Sequence, residues 1–283
     1  MSAFKIEPLD ATFGAVITGL KLAGIDDDIA TSIYDAWLEY ALLIFPEQDL
    51  TKPQQVEFAR RFGDLEFDLA ALSNVRKDGS IRPNDGTDDV VKVLNGNMGW
   101  HMDSTYMELQ AKGAVFTAHV VPGDGGETGW ADTRDAYDQL DSAMQQKITK
   151  LKAFHSLYYS QAKIGHTPEE GGEYSGYGFD GQEAPLRSLV KLHPETKRPA
   201  LVIGRHAYGI PGMSDSESEE LLQYLVDFTC QEPRIYHHKW TTGDAVLWDN
   251  RCLLHRGCPW DMKEPRVMYH SRIAGDSITE SAG

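Results

Sequence analysis

Asn97-Met98-Gly99-Trp100-His101-Met102-Asp103-Ser104-Thr105-Tyr106 is the stretch on which the reading of this chain turns. Its centre is His101-x-Asp103. Val91 to Leu94 before it and Tyr106 to Leu109 after it read as extended chain, and side chains two apart on a strand share a face. On that reading an imidazole and a carboxylate stand side by side. One further histidine would complete a two-histidine, one-carboxylate face for a metal ion. A His-x-Asp pair is a common accident of sequence, so the rest of the chain must supply the third ligand.

The 283 residues, 41 % apolar and 25 % charged, suit a globular protein. The net charge of −16 argues against nucleic acid and against an anionic membrane surface, because phosphate binding needs a basic footprint. It does not bear on a small anionic substrate, which meets only its own pocket. Cys230, Cys252 and Cys258 are odd in number and lack C-x-x-C spacing, which argues against a disulfide framework and against a cysteine zinc site. Reduced thiols and a cytoplasmic location are the expectation. The opening Met1-Ser2-Ala3-Phe4-Lys5-Ile6-Glu7 has no signal-peptide pattern, and no stretch has the length of a transmembrane helix.

Outward from the first stretch, Gly113 to Val121 reads as a strand and Pro122 to Thr128 as a glycine turn that re-enters a strand. Asp132 to Leu151 has helical spacing, with Tyr137, Leu140, Met144 and Ile148 toward a core. Residues 160–186 hold six glycines and few aliphatic residues, and read as a lid-like loop. Leu189 to His193, Pro199 to Ile203, Asp244 to Asp249 and Val267 to Ile273 read as strands, and Ser214 to Val226 as a helix. Toward the start, Phe4 to Leu9 and Gly14 to Leu20 read as strands. Asp26-Asp27-Asp28 caps a helix to about Tyr40, and Ala41 to Pro46 is a buried strand. Thr51 caps a second helix that Gly63 stops. Residues 64–90 are polar and read as an irregular surface excursion. Short strands with a few helices at the front predict one α+β domain over residues 1–283, an antiparallel sandwich or jelly roll.

Gly243 to Gly257 carries the third ligand candidate, His255, and Arg266 follows eleven residues on. By strand alternation Arg266, Met268, His270 and Arg272 share a face. In this order and spacing, His101-x-Asp103, His255 and Arg266 resemble the Fe(II)/2-oxoglutarate dioxygenases of the taurine/2,4-dichlorophenoxyacetate family. Gly14-Ala15-Val16-Ile17-Thr18-Gly19, Leu43-Ile44-Phe45-Pro46, Phe58-Ala59-Arg60-Arg61-Phe62-Gly63, Gly125-Gly126-Glu127-Thr128 and Trp248-Asp249-Asn250-Arg251 extend the resemblance over nearly the whole chain. Gly96-Asn97-Met98, Ser104-Thr105-Tyr106-Met107, Gly204-Arg205-His206-Ala207 and the stretch from Arg266 to Arg272 look most like the (S)-phenoxypropionate (aryloxyalkanoate) dioxygenase group.

The resemblance implies a double-stranded β-helix (jelly-roll) core with flanking helices, with iron held by His101, Asp103 and His255. Two neutral imidazoles and one carboxylate leave Fe(II) one net positive charge and three adjacent positions, for the keto-acid end of 2-oxoglutarate and for O₂. Related halogenases replace the carboxylate by a small residue, so Asp103 points to hydroxylation. Arg266 is implied at the far carboxylate of 2-oxoglutarate, which a guanidinium holds by two parallel bonds. Thr128 resembles the threonine that supports the same cosubstrate, beside the plainer reading of a strand threonine. His270 stands where the taurine enzymes carry a second arginine for the sulfonate, which favours a carboxylate on a bulkier organic acid. Asn97, Ser104, Tyr106 and His206 resemble substrate-pocket positions, and Arg205 and Arg272 are further cations. The implied reaction is hydroxylation of an aryloxyalkanoate next to its ether oxygen, giving a phenol and a keto acid with succinate and CO₂. Alternatives are a hydroxylase of N-substituted amino acids, an alkylsulfonate dioxygenase, and a non-enzymatic metal-binding jelly-roll sensor. The resemblance also implies a homo-oligomer.

Overall fold

The computed structural model describes residues 4–166 and 183–282. Strands β1 (Lys5–Pro8) and β2 (Ala15–Thr18) form an antiparallel pair. Helix α1 (Asp27–Tyr40) starts where the Asp26 side chain accepts from the Ile29 amide, and ends at Ala41 in the left-handed region. Strand β3 (Leu42–Phe45) is buried throughout. Helix α2 (Lys52–Arg60) begins at Thr51, whose amide donates to the Gln54 side chain at 2.9 Å. Then come β4 (Leu65–Ser73), α3 (Asp89–Gly96), β5 (Gly113–Val120) and β6 (Thr128–Asp132). They are followed by α4 (Thr133–Gln139), α5 (Ser142–Ile148), β7 (Lys152–His155) and α6 (Leu157–Ala162). The short strands β8 (Leu186–Ser188), β9 (Val190–Leu192), β10 (Pro199–Leu201) and β11 (Ala207–Tyr208) lead to α7 (Asp215–Thr229). The chain closes with β12 (Ile235–His238), β13 (Ala245–Asp249), β14 (Leu253–Gly257) and β15 (Val267–Ile273).

Seven strands form the major sheet in the order β1-β2-β3-β13-β5-β15-β4, and β12-β6-β14 form a smaller sheet. The central strands are apolar on both faces because both are covered. Leu43, Phe45, Val115, Ala245 and Leu247 pack with Ile33 and Trp37 of α1 and Phe58 of α2. Their neighbours Leu42, Ile44, Phe116, Val246 and Trp248 turn the other way, onto Trp130 and Leu253 of the smaller sheet. One sheet over another, with helices on the outer face of the larger, is the expected jelly roll with flanking helices.

Several local expectations need correction. Residues 64–90 are not an irregular excursion. Leu65–Ser73 is an edge strand paired with β15, and Asp88 caps a helix over Asp89–Gly96. Glu66 and Asp68 interrupt the apolar pattern of that strand, which hid it. Val91 to Leu94 therefore lies in a helix. His101 belongs to no strand; it makes an isolated bridge with His255, and the chain then turns, with Ser104 at φ +56°. The proximity of His101 and Asp103 comes from this turn, not from strand alternation. Asp132 to Leu151 is two helices, broken at Leu140 with ψ 142°, because the Asp141 side chain caps a new one. Of the lid-like stretch, Ser160 to Ala162 completes α6 and Leu186 opens β8, while residues 167–182 lie outside the described residues.

Candidate metal and cosubstrate site

The bridge between His101 and His255 is made by both backbones: each amide donates to the other carbonyl, at 3.0 and 2.8 Å. It places the two imidazoles with centroids 4.2 Å apart. Asp103 follows, anchored by Asn250, whose side chain accepts from the Asp103 amide at 2.7 Å and donates to its carbonyl at 2.9 Å. One ligand atom from each of His101, Asp103 and His255 falls within 4.8 Å of the other two. All three residues are buried.

The donor chemistry fits a divalent metal. His101 Nδ1 lies 2.8 Å from the Gly99 carbonyl, which can only accept, so this nitrogen carries the proton and Nε2 keeps its lone pair. Asp103 Oδ2 is buried without a hydrogen-bond partner among the described residues and lies 3.6 Å from His255 Nε2. Burial, with His255 nearby, pushes His101 down to about 3, and burial pushes His255 down to about 4, so both rings are neutral near pH 7. Burial works against ionisation of Asp103, but Arg272 and the surrounding histidines outweigh it and hold the carboxyl well below its usual range. A neutral pair of imidazoles and a carboxylate are the forms that bind metal.

A second group, His193, Asp249 and Cys252, also brings three donor atoms within 4.8 Å of one another. Its protons rule it out as a metal site. His193 Nδ1 accepts from the Thr196 amide at 3.1 Å, so Nε2 carries the hydrogen that Asp249 accepts at 2.9 Å. Arg251 holds both Asp249 oxygens, at 2.8 and 2.6 Å. This is a buried structural network.

The triad faces a cavity of about 300 Å³. Arg266 enters it from the start of β15. Its amide donates to Asn74 Oδ1 at 2.8 Å, its Nε donates to the Gly126 carbonyl at 3.1 Å, and its guanidinium lies over Trp260 at 5.2 Å. Burial pulls its pKa down to about 10, which leaves it charged. Gly126 at φ +72° is required here: a Cβ would meet Pro122 Cγ at 2.9 Å and Arg266 Nε at 3.2 Å. Thr128 lines the same cavity, and its Oγ1 accepts from Trp240 Nε1 at 2.9 Å, which leaves the hydroxyl hydrogen free for another acceptor.

Of the substrate-pocket candidates, Asn97, Tyr106, His206 and His270 line the cavity. His206 sits edge-on to Tyr106, centroids 4.8 Å apart, with Nδ1 2.8 Å from Ser160 Oγ. His270 stacks on Trp248 at 5.4 Å, and burial pushes it down to about 3, so it is a neutral ring rather than a standing positive charge. Ser104 is fully buried outside the cavity lining and donates to Glu66 at 2.8 Å. Arg205 also lies outside it, with Nη2 donating to the Ser160 carbonyl at 3.0 Å. Sequence reasoning missed the apolar wall: Phe67, Ala70 and Leu72 of β4, Val93 and Leu94 of α3, and Trp260. It also missed Arg256, beside His255 and stacked over Trp100 at 4.7 Å. The helical spacing of Val90, Val91, Val93 and Leu94 was the available signal.

A jelly roll that carries a buried His-x-Asp…His group beside a buried arginine defines a class, and comparison agrees. The chain belongs to the taurine catabolism dioxygenase TauD, TfdA family, whose pattern matches residues 5–272. It is 63 % identical over 281 residues to the (S)-phenoxypropionate/alpha-ketoglutarate-dioxygenase of Sphingobium herbicidovorans, covering 99 % of this chain and 98 % of that one. It is 53 % identical to the enzyme of the same name from Delftia acidovorans, at 99 % and 98 % coverage. The crystal structure of AAD-2 in complex with Mn(II) and N-oxalylglycine superposes with a TM-score of 0.90 at 35 % identity, covering 100 % of this chain and 99 % of that one.

Proposed function

We propose that this protein is an Fe(II)- and 2-oxoglutarate-dependent dioxygenase that hydroxylates an aryloxyalkanoate such as (S)-phenoxypropionate, giving a phenol and a keto acid with succinate and CO₂. The observation that carries the reading is that one cavity of about 300 Å³ joins the buried His101–Asp103–His255 group, the buried Arg266 guanidinium and an apolar wall. His101, Asp103 and His255 would hold the iron, which, once bound, supplies the activation of O₂ with 2-oxoglutarate that attacks a C–H bond.

The remaining residues bind, orient and exclude water. Arg266 takes the far carboxylate of 2-oxoglutarate through its two Nη groups, since Gly126 occupies only Nε. Thr128 donates its hydroxyl hydrogen to the same cosubstrate. Phe67, Leu72, Leu94 and Trp260 take the aryl ring, and so set which carbon faces the metal. Asn97, Tyr106, His206 and His270 hold the polar end of the substrate; Ser104, expected among them, acts from behind the metal ligand.

Strands from both ends of the chain interleave in the major sheet, which supports one catalytic domain over residues 1–283. A cytoplasmic homo-oligomer completes the proposal, and light scattering on the purified protein tests the assembly. Among the described residues no helix is long and apolar enough to cross a membrane. The decisive experiment is succinate release in air from anaerobically Fe(II)-loaded protein. The panel holds both phenoxypropionate enantiomers, phenoxyacetate, an N-succinyl amino acid and taurine. Stimulation by the (S)-enantiomer with phenol formed is expected. Stimulation by taurine or the amino acid alone would move the substrate class, and none at all would overturn the reaction.

A further inference from the structure

The two oxygens of Asp103 are treated unequally. Oδ1 accepts from Arg272 Nη2 at 2.9 Å. Oδ2 has no hydrogen-bond partner among the described residues and lies 3.6 Å from both His255 Nε2 and His270 Nε2. Arg272 is itself held on several sides. Its Nη1 donates to Ser104 Oγ at 3.1 Å, Glu66 Oε1 lies 3.7 Å from that nitrogen, and its guanidinium lies over the Phe67 ring at 4.8 Å. Ser104 in turn donates to Glu66 Oε2 at 2.8 Å. Arg272, Ser104 and Asp103 are each more than nine-tenths buried.

Ser104 adopts φ +56°, a region that residues other than glycine seldom enter. Such a conformation persists only where the surroundings over-determine it. Here it turns the hydroxyl between Arg272 and Glu66, directly behind the residue that faces the metal site. A bent backbone, a buried ion pair and an unshared carboxylate oxygen thus meet at one side chain.

We propose that Arg272 is a positioning residue of the metal centre: it captures Oδ1 of Asp103 so that the carboxylate presents Oδ2 alone to the ion. The inference rests on the metal-site reading above and deepens it. A carboxylate restrained to one oxygen would offer a bound ion one donor instead of two, and so would leave more of it open to the cosubstrate and O₂. The guanidinium also draws charge from the carboxylate, while Glu66 limits how far. A lysine would have to meet Asp103 and Ser104 from one nitrogen, without the fixed fork by which the guanidinium reaches each from a separate Nη. Arg272 also lines the cavity, but each of its Nη groups already donates within the protein, to Ser104 and to Asp103, which places its role behind the carboxylate rather than on the substrate.

The test is Mn(II) titration of metal-free protein, followed by electron paramagnetic resonance, for wild type, Arg272→Gln, Arg272→Lys and Ser104→Ala, each checked for folding by circular dichroism. Loss of such a partner typically weakens metal binding about 10–100-fold. Arg272→Gln should fall in that range, and Arg272→Lys should recover part of the loss. The visible spectrum of Co(II)-loaded Arg272→Gln should differ from wild type, because the freed carboxylate can turn its second oxygen to the ion. A purely structural arginine would not move that spectrum. If Arg272→Gln does not fold, Ser104→Ala is read instead, with a severalfold loss expected and unchanged affinity counting against the proposal. Wild-type protein with no Mn(II) affinity would overturn the metal-site reading and this proposal with it. Folded Arg272→Gln within twofold of wild type, or with only substrate binding impaired, would overturn the proposal alone.

Discussion

His101 and His255 exchange backbone hydrogen bonds at 3.0 and 2.8 Å, so two ligand candidates 154 positions apart are fixed by main chain rather than by their own rings. Removing either ring should therefore spare the fold. We expect His255→Ala to keep its circular dichroism spectrum and lose the rise in melting temperature that Mn(II) gives wild type. At a metal concentration 100 times Kd that rise reflects about 2.7 kcal/mol. Calorimetry with and without metal checks it, and an undiminished rise would remove His255 from the ligand set.

Gly126 shapes the arginine clamp, since its φ of +72° and the missing Cβ let Arg266 pass. Gly126→Ala should raise the KM for 2-oxoglutarate by about 10–100-fold, the scale set by an ångström-sized misplacement. Mn(II) affinity should stay close to wild type. Parallel loss of both would mean that the turn supports the whole site.

The apolar wall predicts a different split. Leu72→Ala enlarges the cavity at its apolar wall, where the aryl ring is proposed to sit. We expect kcat/KM for (S)-phenoxypropionate to fall about tenfold, within the roughly 1–3 kcal/mol that a few methylenes contribute to such a pocket. Cosubstrate consumption without product formation should rise. An unchanged kcat/KM would place the ring elsewhere.

Asp249 tests the buried network beside the core. Burial opposes its charge, but Arg251 and the hydrogen bond from His193 outweigh this and hold its carboxyl well below the usual range. A carboxyl lowered on folding contributes stability that is complete above its unfolded pKa of about 3.9 and is lost as pH falls below that value. Asp249→Asn should therefore cost about 3 kcal/mol at pH 7, because Arg251 loses its buried charge partner and keeps only Glu195, at 2.6 Å on Nη1. The difference from wild type should shrink below about pH 4. Urea unfolding at several pH values measures both limbs.

Much of the centre was legible in the chain itself. Ala41 to Pro46 reads as a buried strand because it is a continuous apolar run, Asp244 to Asp249 reads as a strand, and His101, Asp103, His255 and Arg266, at the heart of the family resemblance, meet in one cavity. The cavity's far wall was not legible. Its strand is broken by Glu66 and Asp68, and Glu66 is there for Arg272 rather than for solvent, a reason visible only once Ser104 has turned. Likewise, nothing local in His101-Met102-Asp103 announces a turn. The bridge to His255 and the grip of Asn250 impose it from across the fold.

The placement of β13 between β3 and β5 also orders events during synthesis. When the ribosome has reached residue 240, His101 and Asp103 are already made, but the middle of the sheet, His255 and Arg266 are not. Such a chain would hold neither the third proposed metal ligand nor the proposed cosubstrate arginine, and long-range pairings of this kind form late. On the proposed reading, a chain cut short before His255 would lack a metal ligand and the cosubstrate arginine together, so the two parts of the site are completed only as a pair.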